Sequence, residues 1–225
     1  MLKRELLATA QVPDGKLLEL FRHGDDYMIV CERNELMSTR MRYSEEQLAE
    51  LTLDRLKARD PHILIGGYGM GFTLRAALAR LDRQARVTVS ELVPEIVEWA
   101  RGPMKVLEAG CLSDERVRLR MGDVRDAIEE AAAARGDYDA ILLDVDNGPD
   151  GFVRPDNDAL YGIAMLDKAR HALRPGGVLS IWSAAPDREF TYRLRKAGFA
   201  VEERTVRSRP NNKGARHTIW FAKRR

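Results

Sequence analysis

The chain has 225 residues, 44% of them hydrophobic and 32% charged, and a formal net charge of +2. Length and composition fit one large globular domain with at most a small appendage, and the balanced charge gives no ground for expecting nucleic acid as a partner. The two cysteines, Cys31 and Cys111, lie far apart without metal-type spacing, so neither a disulfide framework nor a zinc site is suggested; no stretch approaches the roughly 18 apolar residues that span a bilayer. The first residues lack the apolar run of a secretory signal, so the chain reads as cytosolic.

Residues 1–43 read as a small antiparallel β meander, with short apolar segments at 17–22, 26–31 and 35–38 separated by His23-Gly24-Asp25 and Glu32-Arg33-Asn34. Residues 44–225 read as a second region. Ser44 and Gln47 have the spacing of a capping box, which predicts a helix from 44 to the Asp60-Pro61 stop. Strands and helices then alternate: strand 62–66, a glycine turn at 67–71, helix 72–81, strand 86–92, a helix opened by Pro94, strand 117–123 and helix 124–134. Strand 138–144 is apolar enough to be buried on both faces. A loop over 145–157 precedes a helix over 158–173, strand 178–182 and a helix over 187–197 closed by Gly198. Strands 199–206 and 217–222 form a hairpin at one edge. The fold expected is therefore α/β: a doubly wound, mostly parallel seven-stranded Rossmann-like sheet with a C-terminal antiparallel hairpin, beside the N-terminal meander. The basic run from Arg204 to Arg225, free of acids, reads as a solvated edge.

In an open parallel sheet, ligands bind beyond the carboxyl ends of the strands where strand order reverses. The residues at those ends are Gly67, Gly69 and Gly71, whose missing side chains admit a ligand close to the backbone, and the acids Glu91, Asp123 and Asp144. Glu91 lies where such sheets hold ribose hydroxyls, with a solvated acid or a helix-terminal charge as the alternative. Asp123 suits an adenine amino group and equally a helix cap. Leu92 and Val124 adjoin these two acids in the expected nucleoside site. Asp144 follows an apolar run and opens a loop containing Asp146, Asn147 and Asp150, so it reads as a desolvated carboxylate able to hold a cationic amine or take its proton.

The frame Leu64-Ile65-Gly66-Gly67-x-Gly69-x-Gly71, with Ser90-Glu91, Ser113-Asp114-Glu115-Arg116-Val117, Gly122-Asp123, Tyr138-Asp139-Ala140-Ile141-Leu142-Leu143-Asp144 and Leu173-Arg174-Pro175-Gly176-Gly177, resembles the spermidine synthase (polyamine aminopropyltransferase) family. That family shares the sheet of class I S-adenosylmethionine-dependent methyltransferases. The resemblance implies a donor of adenosyl sulfonium type, decarboxylated or intact S-adenosylmethionine, with no metal. It implies Glu91 on the ribose, Asp123 on the adenine and Asp144 assisting deprotonation of an amine acceptor, and it implies a homodimer. The chain departs from the family at the acceptor side. Gly69 replaces an Asp, Asn147 replaces the second loop acid with Asp146 beside it, Ser44-Glu45-Glu46 replaces a Tyr-His-Glu trio, and Glu35 replaces a Gln. Glu46, Asp146 and Asn147 are the acceptor contacts expected. Methyl transfer from intact S-adenosylmethionine is the alternative reaction, and a nucleoside-binding homologue without catalysis a third reading.

Overall fold

The computed structural model describes residues 3–13, 15–145 and 157–225. The N-terminal strands β1 (Glu5–Gln11), β2 (Leu17–His23), β3 (Asp26–Cys31) and β4 (Asn34–Ser38) pair antiparallel in that order. β1 adds a strand to the three segments expected. Its apolar pattern is weak because only Ala10 is buried along it.

The second sheet contains β5 (His62–Gly66), β6 (Arg86–Glu91), β7 (Val117–Met121), β8 (Tyr138–Leu143), β9 (Leu173–Ser183), β10 (Phe199–Arg209) and β11 (Lys213–Arg224), in the order β10-β11-β9-β8-β5-β6-β7. β5 through β9 pair parallel, while β11 pairs antiparallel to both β9 and β10. The chain runs outward from β5 to β7 and then returns to place β8 on the other side of β5. The reversal therefore lies between β5 and β8, where the glycine turn and Asp144 leave the sheet.

Every residue of β5 is buried, as a strand covered on both faces requires. On one face Ile63 and Ile65 join a cluster with Phe72, Trp182 and Phe221 that also takes in Leu18, Leu20 and Ile29 of the meander. On the other face Tyr161, Phe190 and Trp220 stack edge to face, with centroids 5.5 and 5.0 Å apart, and Trp220 Nε1 donates to Thr191 Oγ1 at 2.8 Å. Aromatic contacts of this geometry add about 1 kcal/mol each beyond area burial.

Helices α1 (Tyr43–Leu53), α2 (Phe72–Leu78), α3 (Pro94–Arg101), α4 (Lys105–Glu108), α5 (Val124–Ala133), α6 (Asn157–Tyr161), α7 (Ile163–Ala172) and α8 (Arg188–Lys196) complete the described fold. Pro94 occupies the first turn of α3, and Gly198 follows the end of α8 at φ 92°. Four expectations need correction. The capping box does not form: Arg42 is the N-cap of α1, Ser44 Oγ instead bonds His217 Nδ1 at 2.8 Å, and Gln47 donates to Glu50. α1 also stops at Leu53, well before Pro61. The helix expected over 158–173 is interrupted by Gly162, which is extended (φ −71°, ψ 153°) and caps α7. The hairpin strands run longer than their apolar segments because Asn211 and Asn212, both at φ 59°, make the turn and carry the ladder through charged residues.

Candidate active site

The glycine turn is clamped between two strand ends. Gly67 N–H donates to Ser90 O at 2.9 Å and Asp144 N–H to Gly66 O at 3.0 Å. Gly67 sits at φ 85°, and a Cβ there would run into the Asp144 carbonyl oxygen, so only glycine lets the turn lie against the end of β8. Gly69 is at φ 54°, and a Cβ there would lie 2.9 Å from both Sδ and Cε of Met37, which arrives from β4. Gly71 has a different task from the one expected: it is the left-handed N-cap of α2, it packs on the Tyr68 ring, and it does not line the cavity described below.

Glu91 ends β6 and is 6% exposed. Its Oε2 accepts from Tyr68 N–H and its Oε1 from Val93 N–H, each at 2.8 Å. Burial raises its pKa while these backbone donors oppose the rise. A solvated surface acid is thereby ruled out. Asp123 caps α5 by accepting from Arg125 N–H at 2.9 Å, and its Oδ2 also takes the Arg125 guanidinium at 2.8 Å. Capping and a place in the cavity wall thus coexist in one residue.

Asp144 follows β8. The Thr73 hydroxyl donates to its Oδ2 at 2.5 Å, and burial of the carboxyl pushes its pKa up to about 6 against that hydrogen bond. Beside it stands a residue the sequence reading passed over. Glu45, in the first turn of α1, is 8% exposed, and its pKa is raised well above the ordinary range by burial, then by the charges of Asp144 and Glu46, with Arg75 opposing. Among the described residues neither Glu45 nor Asp144 forms an ion pair.

Glu46 is not the acid that faces this site. Its carboxylate pairs with Arg42 at 2.9 Å, and it is absent from the cavity wall. The reason is the azimuth of α1, which turns Ser44, Glu45, Leu48, Ala49 and Thr52 inward. Glu45 is three and four residues from Leu48 and Ala49, so the apolar spacing itself marks its face, and that signal was available in the sequence. Glu35 is exposed on β4. Asp146 and Asn147 lie outside the described residues.

These groups enclose a cavity of about 160 Å³. Its wall includes Gly67, Gly69, Glu91, Leu92, Asp123, Val124 and Asp144 together with Glu45, Trp182 and apolar residues of the N-terminal region. Trp182 packs edge to face on His217 with centroids 4.7 Å apart, and its buried Nε1 has no partner among the described residues. No group of three or more His, Cys, Asp or Glu among the described residues is arranged to hold a metal ion, and none of the helices described is long and apolar enough to cross a membrane.

Comparison with known proteins gives the family of this arrangement. A family model described as S-adenosyl-L-methionine-dependent methyltransferase matches residues 88–214. The chain is 28% identical over 188 residues to a polyamine aminopropyltransferase of Mycobacterium tuberculosis, covering 80% of this chain and 34% of that protein. It is also 28% identical over 171 residues to a polyamine aminopropyltransferase of Sulfolobus acidocaldarius, covering 76% and 53%. The chain thus spans about a third to a half of the length of these relatives. Spermidine synthase from Thermotoga maritima superposes with a TM-score of 0.78 at 18% identity, over 100% of this chain and 75% of that one. A spermidine synthase in complex with the transition state analogue AdoDATO superposes with a TM-score of 0.76 at 17% identity, over 100% and 74%. With the spermidine synthase fold and a family model that matches more than half of its length, the chain belongs to the S-adenosyl-L-methionine-dependent methyltransferase family.

Proposed function

We propose that the protein is a transferase that moves an aminopropyl group from decarboxylated S-adenosylmethionine to an amine. The observation that carries this reading is the buried pair Glu45 and Asp144, without an ion-paired cation among the described residues. Two desolvated carboxyls in one cavity wall complement ammonium groups and repel a carboxylate. A decarboxylated donor brings an ammonium there; intact S-adenosylmethionine brings its carboxylate as well.

In this reading Glu91 and Leu92 hold the ribose side of the donor, Asp123 and Val124 the adenine, and Gly67 and Gly69 leave room along the backbone. The acceptor nitrogen attacks the propyl carbon bonded to sulfur. The new N–C bond forms as the C–S bond breaks, the electron pair passes to sulfur, and 5′-methylthioadenosine leaves. Asp144 takes the proton from the attacking amine, a role its pKa near 6 allows at neutral pH. Glu45 replaces the missing acid at position 69 by holding an ammonium from the opposite wall. Residues 44–225 then form the donor-binding domain and 1–43 the acceptor-side cover. The two buried cysteines, Cys31 and Cys111, suit a reducing cytoplasm, and a homodimer follows from the family resemblance.

Methyl transfer is the second reading, favoured by Gly69 and by the family model. Calorimetric titration with both donors separates the two. Decarboxylated S-adenosylmethionine should bind at least about tenfold more tightly, and Glu45→Gln should erase that preference; a clear preference for the intact donor would sink aminopropyl transfer.

A further inference from the structure

We propose that Thr73 is the positioning residue of Asp144, its hydroxyl aiming the carboxylate at the attacking amine. The role of Asp144 in this statement rests on the aminopropyl-transfer reading; the contacts of Thr73 do not. Thr73 is the second residue of α2, just past the glycine turn, and is 2% exposed between Phe72 and Leu74 at 1% each. Its Oγ1 donates to Asp144 Oδ2 at 2.5 Å and lies 3.3 Å from the backbone oxygen of Glu45.

One hydroxyl proton faces two acceptors. The shorter contact, to a carboxylate, is the stronger, so the proton is committed to Asp144 and the Glu45 carbonyl is a lateral support. The χ2 torsion of an aspartate is broad unless a partner holds it. Here Oδ2 is tied to a buried, β-branched side chain with few χ1 choices, which leaves Oδ1 for the amine. The same Oγ1 touches the first turn of α1, whose Glu45 shares the cavity wall with Asp144. One atom thus registers the base against the helix that bears the second acid. Charges around the Glu45 and Asp144 pair come from several elements: Glu46 from α1, Arg75 from α2, and Glu91 and Asp123 in the same cavity wall. Valine at 73 keeps the shape of threonine and leaves all of them in place, so it deletes only the hydroxyl. A hydrogen bond to the charged form favours that form, and the Asp144 pKa of about 6 should climb when the bond is lost.

Thr73→Val and Thr73→Ser test this against the parent protein. NMR titration of the Asp144 carboxyl carbon, assigned with Asp144→Asn, is run without substrates. The Val variant should raise that pKa by about one unit, and the Ser variant, which keeps the hydroxyl, should stay near the parent. Release of 5′-methylthioadenosine from decarboxylated S-adenosylmethionine, with 1,4-diaminobutane as the probe, gives the kinetic arm. Thr73→Val should lower kcat about ten- to a hundredfold while KM for the donor stays within about twofold, and should move the acidic limb of kcat/KM upward with the NMR value. Thr73→Ser should restore most of both. An unchanged or lowered Asp144 pKa in the Val variant overturns the proposal, as does a kcat loss equal in the Val and Ser variants, which would mark a packing role. A raised pKa with no turnover by the parent protein refutes the transfer reading while leaving Thr73 as the group that holds Asp144.

Discussion

Replacing Asp144 by Asn keeps an acceptor for the Thr73 hydroxyl, 2.5 Å away, and removes a buried charge. The folded-state pKa of Asp144 is about 6 against an ordinary 3.8, so the folded protein resists ionising this group. Below pH 3.8 the carboxyl is protonated in both states and costs nothing. As pH rises through 3.8 toward 6 the unfolded state ionises first, and above 6 the folded state bears the full penalty, at most about 3 kcal/mol for two units of pKa. Relaxation of the site and relief of the neighbouring Glu45 leave a net gain of about 1–2 kcal/mol for the variant at pH 8, or a Tm rise of roughly 3–6 °C for a chain of this size. Scanning calorimetry of the two proteins at pH 8 and pH 4.5 measures it, with the gain shrinking at the lower pH. A gain independent of pH, or a loss of stability at pH 8, would refute the placement of a desolvated carboxylate here. In the proposed transfer reaction, where Asp144 accepts the amine proton, the same variant should lose turnover by a factor of about 10²–10⁴.

In the proposed reaction, kcat/KM of the parent protein should fall about tenfold per pH unit below 6 as Asp144 is protonated; a profile flat from pH 7 to 5 would remove Asp144 as the base. Gly69→Asp should destabilise the protein by about 1–3 kcal/mol, because the new Cβ meets Met37 in a left-handed turn, and adding Met37→Ala should recover most of that in chemical denaturation. Glu91→Gln turns one amide nitrogen toward a backbone N–H, so about 1–3 kcal/mol of stability should disappear together with calorimetric donor binding. Ser44→Ala leaves the half-buried His217 Nδ1 without its 2.8 Å partner and should lower Tm by roughly 2–6 °C.

Much of the cavity wall at the sheet edge was legible in residue order. Glu91 ends its strand, Asp144 directly follows one and Asp123 stands two residues beyond another, and each lines the cavity beside the glycine turn. The side supplied by α1 and the N-terminal strands was not. Ser44 and Gln47 have the spacing of a cap, yet Ser44 is drawn to His217, far along the chain on β11. Gly71 looked like a third ligand-facing glycine, but its place is fixed by the ring of Tyr68.

The sequence by itself determined the alternation of strands and helices and the acids at or just beyond the strand ends, because hydrophobic period and turn chemistry are local properties, whereas the strand order and its reversal between β5 and β8 belong to the tertiary structure. Only the tertiary structure decided that Glu45 and not Glu46 joins Asp144, that Met37 fills the space opposite Gly69, and that apolar residues of the N-terminal region line the cavity. Each depends on the azimuth of α1 and the seating of the meander. The azimuth is set by partners remote in sequence: Thr52 on Ser180 at 2.7 Å, Ser44 on His217, and Thr73 joining the Glu45 backbone to Asp144.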